Sequence, residues 1–248
     1  MNAATIRRGV TVFVGLMALW QLATPGSIPA FLLPSPIAVA AAMRDNAGYL
    51  AYHTLITATE IAGGLIAGVL LGALLALLMT FSPGLQRWLM PLVLTSQAIP
   101  VFALAPLLVL WFGFGISAKI VMAILVIFFP VASAFFDGLR RVEQDYLDLA
   151  RTMGASSASQ LRHVRLMAAL PAFGSGLRMA VAVAPIGAIV GEWVGSAEGL
   201  GFVMLNANAR MQSDLCFAAL FVLVAMTIAL WLSTDILLRH LIRWSPER

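Results

Sequence analysis

Long apolar runs, parted by short polar stretches, make up most of the chain. Segments free of Asp, Glu, Lys and Arg extend from Val10 to Met43, Ile61 to Gln86, Trp88 to Ala118, Ile120 to Phe136, Met179 to Gly191 and Leu215 to Thr234. A membrane-spanning helix needs about 20 predominantly apolar residues, because each residue rises about 1.5 Å through roughly 30 Å of hydrocarbon. With charges taken as the borders, the runs predict six transmembrane helices in an all-α, polytopic membrane protein. The first covers Val10 to Ala23 and is ended by Pro25 and Gly26; the fifth must begin before Arg178, near Ala172, to be long enough. The runs show no strict two-residue alternation and exceed the 9–11 residues of a barrel strand, so helices satisfy the backbone in lipid.

Composition excludes a soluble globule. Of 248 residues 61% are hydrophobic and only 10% charged, with mean hydropathy +0.96, too few polar side chains to cover a water-facing surface. The net charge of +4 reads as topology rather than nucleic-acid binding. With the N-terminus inside, Arg7, Arg8, Arg87, Arg140, Arg141, Arg151, Arg162, Arg165, Arg239, Arg243 and Arg248 collect on the cytoplasmic side, against Arg44, Lys119 and Arg210 outside. That asymmetry predicts both termini in the cytoplasm. Arg7-Arg8 before a short apolar stretch and Pro-Gly-Ser also resembles a secretory signal peptide, but no convincing small-x-small cleavage site follows and the charge asymmetry expects a helix there, which favours a retained anchor.

Catalytic chemistry is not expected. No Gly-Lys-Ser/Thr ending marks a phosphate-binding loop, and Lys119 lies between Ala118 and Ile120. His53, His163 and His240 are far apart and read as interfacial; Gly154-Ala155-Ser156-Ser157-Ala158 only half resembles a nucleophile elbow. With one cysteine, Cys216, there is no intrachain disulfide and no Cys-rich metal site. No catalytic, cofactor-binding or metal-binding residue is therefore assigned. The one long inner segment, Asp137 to Pro171, is too short for an ATPase or other catalytic domain.

Other features point to transport. Gly64, Gly68 and Gly72, and again Gly187, Gly191, Gly195 and Gly199, repeat at four-residue spacing and permit close helix approach, within one bundle or between subunits. Prolines at 91, 100 and 106 interrupt the third run and Pro185 the fifth, so these spans should bend or unwind where they face protein or a water-filled cavity. Ser96 and Gln97, just before Pro100, would offer polar contacts there or satisfy neighbouring backbone. Glu60, Glu192 and Asp235 lie near the expected borders, where their depth decides their meaning. Glu192 opens a polar outer segment with Glu198, Asn206, Asn208, Arg210 and Gln212, either an external gate or a solvated loop; Asp235 is expected to pair with Arg239 at i+4. From Asp145 to His163 the inner segment reads as one or two short helices around Gly154, with Tyr146, Leu147, Leu149, Ala150 and Met153 as an apolar set that must dock to a partner or to headgroups.

The run Asp148-Leu149-Ala150-Arg151-Thr152-Met153-Gly154, followed by Val164-Arg165-Leu166, resembles the Glu-Ala-Ala loop of ABC importer permeases. It departs in having Asp148 for the glutamate and Met167 where a proline is usual, with Pro171 four residues on. Leu33-Pro34-Ser35-Pro36, and Ala98 through Leu107 running to Leu110-Trp111-Phe112-Gly113, look like the nitrate, sulfonate and taurine branch. Within it, His53-Thr54 with Glu60, Gly191 to Gly195 and Asn206 to Gln212 look most like permeases for hydroxymethylpyrimidine, a thiamine precursor. The resemblance implies a type I importer transmembrane domain in the bacterial inner membrane, with residues 1–54 as anchor helix and outer segment, 55–240 as permease core containing the coupling loop 137–171, and 241–248 as a cytoplasmic tail. It implies a homodimer working with two copies of an ATPase subunit, which holds the ATP and magnesium, and a periplasmic binding protein. Asp148, Leu149, Ala150, Met153, Gly154, Val164 and Leu166 would then meet the ATPase, while Ser96, Gln97, Pro100, Glu60, Glu192, Asn206 and Asn208 are candidates for the path or its gate. Two other classes remain: an ion-coupled secondary transporter with Glu60 or Glu192 as proton site, and an intramembrane enzyme built on Ser96, Ser156, His53 or His163.

Overall fold

The apolar runs do fold as helices, but the charges do not mark where those helices end. The structure, a computed structural model, describes residues 3–24, 29 and 31–244, and among them there is no strand. The helices are α1 (Ala3–Ala23), α2 (Pro36–Asp45), α3 (Ala47–Phe81), α4 (Pro83–Ser96), α5 (Val101–Phe112), α6 (Ile116–Arg140), α7 (Gln144–Thr152), α8 (Ser157–Gln160), α9 (Leu166–Gly195), α10 (Leu200–Ala209) and α11 (Ser213–Leu241). A π turn, Leu161–Arg165, joins α8 to α9, so that one helix of 39 residues runs from Ser157 to Gly195. Pro25 and Gly26, expected to end the first helix, lie outside the described residues, as do residues 245–248 of the 241–248 tail.

Four of the described helices are long and apolar enough to cross a membrane, Ala47–Phe81, Ile116–Arg140, Ser157–Gly195 and Ser213–Leu241, and α4 with α5 makes a fifth bent by 101°. The bend falls between Ser96 and Val101, where Pro100 removes a backbone donor and caps α5, while Pro91 and Pro106 are absorbed inside their helices. The expected interruption at Pro185 is not found, for α9 passes through Pro171 and Pro185 unbroken. Nor does the fifth span begin near Ala172; it starts at Leu166 and is continuous with the segment before it.

Charge-free length misplaced the other borders for one physical reason. Glu60 lies inside α3, Lys119 inside α6, Arg178 and Glu192 inside α9, and Asp235 inside α11. Each is tolerated there because it meets a partner, and a matched buried charge need not end a helix.

The chain forms two compact units, Met1–Ile56 with Ala197–Val224, and Thr57–Ser196 with Ala225–Arg248. In the first, Ser35 caps α2 by accepting from the Ala38 N–H, and the Trp20 ring stacks on Phe221 with centroids 5.8 Å apart. In the second, α6 is the axis of the core. Ala123, Ile127 and Val131 of α6 pack with Ile61 of α3 and with Ala180, Ala184 and Ala188 of α9, all buried; Phe135, Phe136 and Leu139 continue the core with Ala76, Met79 and Ala169.

The glycine stripes explain this closeness. A Cβ on Gly72 would lie 2.6 Å from the Phe128 carbonyl oxygen, and one on Gly187 would lie 2.6 Å from the Ala123 Cα. Gly64, Gly68 and Gly72 seat α3 on α6, and Gly187 and Gly191 seat α9 on α6, within one chain, while Gly195 faces Val109 of α5. Gly187→Val is expected to lower the melting temperature in detergent and the yield of folded protein, since backbone on both sides must give way and overpacking costs about 1–3 kcal/mol. Gly48→Ala, where nothing lies within 4 Å, serves as control and should match the parent.

Candidate functional site

Three helices converge on a buried polar cluster. Glu60 is 13 residues from the start of α3, roughly 20 Å along the helix. Its side chain is 1% exposed, and its Oε1 accepts from the Lys119 Nζ at 2.5 Å; Lys119, in the first turn of α6, is 7% exposed. The same ammonium donates to Ser196 Oγ at 2.7 Å, just past the end of α9, while Thr57 Oγ1 donates to Glu192 Oε1 at 2.6 Å. One ammonium and two carboxylates, with two hydroxyls, therefore tie α3, α6 and α9 together where water is excluded. Such charge-assisted bonds are short and directional, so they favour one arrangement of the three helices.

Nothing in the sequence reading assembled this cluster. By sequence Glu60 and Glu192 stand at borders and Lys119 among the outer-side charges, while Thr57 and Ser196 carry no signal of their own. The available signal was the chain's one lysine set inside an apolar stretch, since an ionisable residue at such a place needs a partner. A second pair lies nearer the end of α11, where Asp235 takes Arg178 Nε at 2.8 Å and Arg239 Nε at 2.7 Å. The expected i+4 contact is present, and Arg178 of α9 joins it.

The remaining candidates for the path are divided between the two units. Ser96 and Gln97 sit at the α4–α5 bend, with Ser96 Oγ donating to the Val93 carbonyl at 2.7 Å and Gln97 exposed. Pro100 is exposed at the start of α5. Asn206 and Asn208 belong to the other compact unit, near the end of α10, and the backbone N–H of Arg210 donates to both of their carbonyls. His53 is buried within the protein, with Nδ1 accepting from the Gly199 N–H at 2.9 Å and Tyr49 at its edge. His163 and His240 are exposed and bond back to their own helices. Ser96, Ser156, His53 and His163 thus form no nucleophile–base pair among the described residues, and no group of three or more His, Cys, Asp or Glu there is arranged to hold a metal.

The inner segment divides its apolar set in two. Helix α7 lies against α8 and the π turn, turning Leu147 and Ala150 inward, with Leu147 2% exposed. Tyr146, Leu149 and Met153, at i, i+3 and i+7, stand out on one face at 58%, 59% and 79% exposure. Asp148 on the exposed side holds Arg151 Nη1 at 2.7 Å. Val164 and Leu166 are half-buried, Leu166 packing against the Phe135–Leu139 core.

Gly154 closes α7 with φ +80°. The Ala155 N–H donates to the Ala150 carbonyl and the Gly154 N–H to the Arg151 carbonyl, both at 2.9 Å, which is the pairing of a Schellman turn. Ser156 then starts the next helix, its hydroxyl accepting from the Ser159 N–H. The glycine is needed because a side chain is disfavoured in the left-handed conformation by about 1–2 kcal/mol.

The pattern that defines binding-protein-dependent transport system inner membrane components matches residues 68–245, from the middle of α3 to just past the end of α11. The chain belongs to this family. A probable ABC transporter permease protein of Haemophilus influenzae is 55% identical over 93% of this chain and 94% of its own length. The formylaminopyrimidine transport permease protein of Halalkalibacterium halodurans is 36% identical over 95% of each chain. Aliphatic sulfonate and taurine permeases are also relatives, so the branch read from the sequence is borne out. The solved structure of an amino acid ABC transporter superposes with a TM-score of 0.61, covering 81% of this chain and 96% of that one at 19% identity, and shows the shared fold. This permease is therefore a multi-pass membrane subunit of an ABC importer, a transport component rather than an enzyme, and its family works with an ATPase and a binding protein.

Proposed function

We propose that the permease forms the path for a small pyrimidine of the hydroxymethylpyrimidine type, a thiamine precursor, delivered by a periplasmic binding protein, and that α7 with its Gly154 turn is where the ATPase grips it. The observation that carries the coupling role is the Tyr146–Leu149–Met153 face, an apolar stripe standing exposed on a short helix whose other side is anchored in the protein. Asp148, Leu149 and Met153 meet the ATPase; Ala150, Gly154, Val164 and Leu166 set the shape and seating of the segment. Two copies of the chain line the path and two ATPases hold ATP and magnesium, with both termini in the cytoplasm of a bacterium whose inner membrane carries the complex. Ser96, Gln97 and Pro100 at the bent pair face the path, Asn206 and Asn208 its outer mouth, and Glu60 and Glu192 hold the helices around it. ATP biases the two conformations because the closed ATPase dimer binds it more tightly than the open one, and α7 transmits the difference.

The pyrimidine assignment is supported by the formylaminopyrimidine relative and by the resemblance at His53-Thr54 with Glu60. In proteoliposomes containing the permease, its ATPase and its binding protein, labelled hydroxymethylpyrimidine should accumulate only with ATP. Ion-driven uptake by the lone chain would replace this reading with a secondary transporter. A binding protein that takes taurine or another sulfonate, and no pyrimidine, in calorimetry would move the substrate to the sulfonate branch.

A further inference from the structure

We propose that the permease holds the phosphate of an anionic phospholipid in a cavity at the inner end of α3, wedged between that helix and the coupling segment. The cavity measures about 330 Å³ and is lined by Thr80 and Phe81 of α3, Arg151 of α7, Ser157 of α8 and Arg165 of the π turn. Its lining carries two guanidinium groups and no carboxylate. Arg151 lends one nitrogen to Asp148 and keeps the rest of its fork, whereas Arg165 is half-buried and meets no carboxylate among the described residues. A guanidinium drawn partly out of water calls for a counter-anion, and two forks beside a serine hydroxyl match the oxygens of a phosphate. Thr80 already donates to the Ala76 carbonyl, so the donors are the two arginines and Ser157.

Depth selects the lipid as the source. Helix α3, long and apolar enough to cross the hydrocarbon, ends at Phe81 on the cavity wall. Arg87 and the exposed Trp88 come in the second turn of α4, the pair of residue types that sits among headgroups. Phe81 is itself exposed at the rim, which gives the glycerol and first methylenes an apolar wall. A phosphate here would join three elements: the end of α3, whose Ala76 and Met79 are locked in the core, α7, and the π turn. Lipid composition would then set how firmly the coupling segment is seated, a consequence that rests on the role proposed for α7, while the site itself does not.

The test uses the full chain in nanodiscs of phosphatidylcholine with a minor fraction of phosphatidylglycerol, followed by native mass spectrometry of retained lipid. The parent should keep phosphatidylglycerol in preference to phosphatidylcholine, Arg165→Gln should lose most of that preference, and Arg165→Lys should keep part of it. Arg162→Gln, an exposed arginine outside the cavity, should behave like the parent. Equal preference in parent and Arg165→Gln overturns the proposal, as does an equal loss in Arg162→Gln, which would mean diffuse surface charge. Complete displacement of the lipid by millimolar inorganic phosphate would make this a free-anion site and also overturn it. Retention is read without ATPase or substrate, so its failure leaves the transport reading standing, and failure of transport leaves the lipid result standing.

Discussion

Lys119→Met is expected to destabilise the folded permease by about 3–5 kcal/mol, the range for removing one partner of a buried ion pair. The pair is buried on both sides, with Glu60 and Lys119 side chains 1% and 9% exposed. Without the ammonium, Glu60 loses its ion-pair partner in a dry environment and Ser196 loses the bond from Lys119. Thermal unfolding in detergent and the fraction eluting as a single species should both fall. The double variant Glu60→Gln/Lys119→Met removes both charges while keeping the volumes, and it should recover most of the loss, because a buried pair exchanged for neutral groups is often close to neutral in stability. Uptake separates a holding role from direct contact with the solute. If the pair only holds α3, α6 and α9 in register, the stable double variant transports. A double variant as unstable as the single one would show that the pairing is not what stabilises this cluster.

The same cluster shows where sequence reading stopped. A charge in an apolar run was treated as an isolated cost, and on that footing it ends a helix. Lys119 and Glu60 are 59 positions apart, and Arg178 and Asp235 are 57 apart. No local pattern announces that such charges will meet, so the starts of α3, α6 and α9 were displaced. Locally encoded features were legible. The prolines around position 100 gave the bent pair, Gly154 parted two short helices, and Asp235 with Arg239 at i+4 needed only the helical repeat. The glycine stripes are visible in the sequence but not their target, since four-residue spacing names a close approach and not its partner; the first stripe and the Gly187–Gly191 part of the second meet α6. The burial of His53 depends on Gly199, 146 positions away, which no local pattern announces. In the inner segment the apolar set was found, yet composition could not say that Leu147 and Ala150 face inward while Tyr146, Leu149 and Met153 face out. Helical phase supplies that division only once one neighbour is fixed.

That division makes the coupling role testable without confusing it with folding. Leu149→Asp/Met153→Asp changes two side chains that contact little within the chain, so its melting temperature should match the parent's. If those side chains are buried by the ATPase, each contributes about 1.5–3 kcal/mol to association, and losing both weakens it by roughly two to four powers of ten. Co-purification with the ATPase should collapse, together with uptake, while membrane insertion persists. Leu147→Asp acts oppositely, placing a charge in the packed side of α7 and damaging stability first. Gly154→Pro attacks the turn instead: it removes the N–H bonded to Arg151 and cannot reach φ +80°, so α7 ends differently and its exposed face is re-aimed. This variant should insert but couple poorly, with ATPase turnover no longer answering to the loaded binding protein. Normal association and normal uptake in both Leu149→Asp/Met153→Asp and Gly154→Pro would remove α7 as the docking element. The exposed stripe would then have to be explained by contact with headgroups.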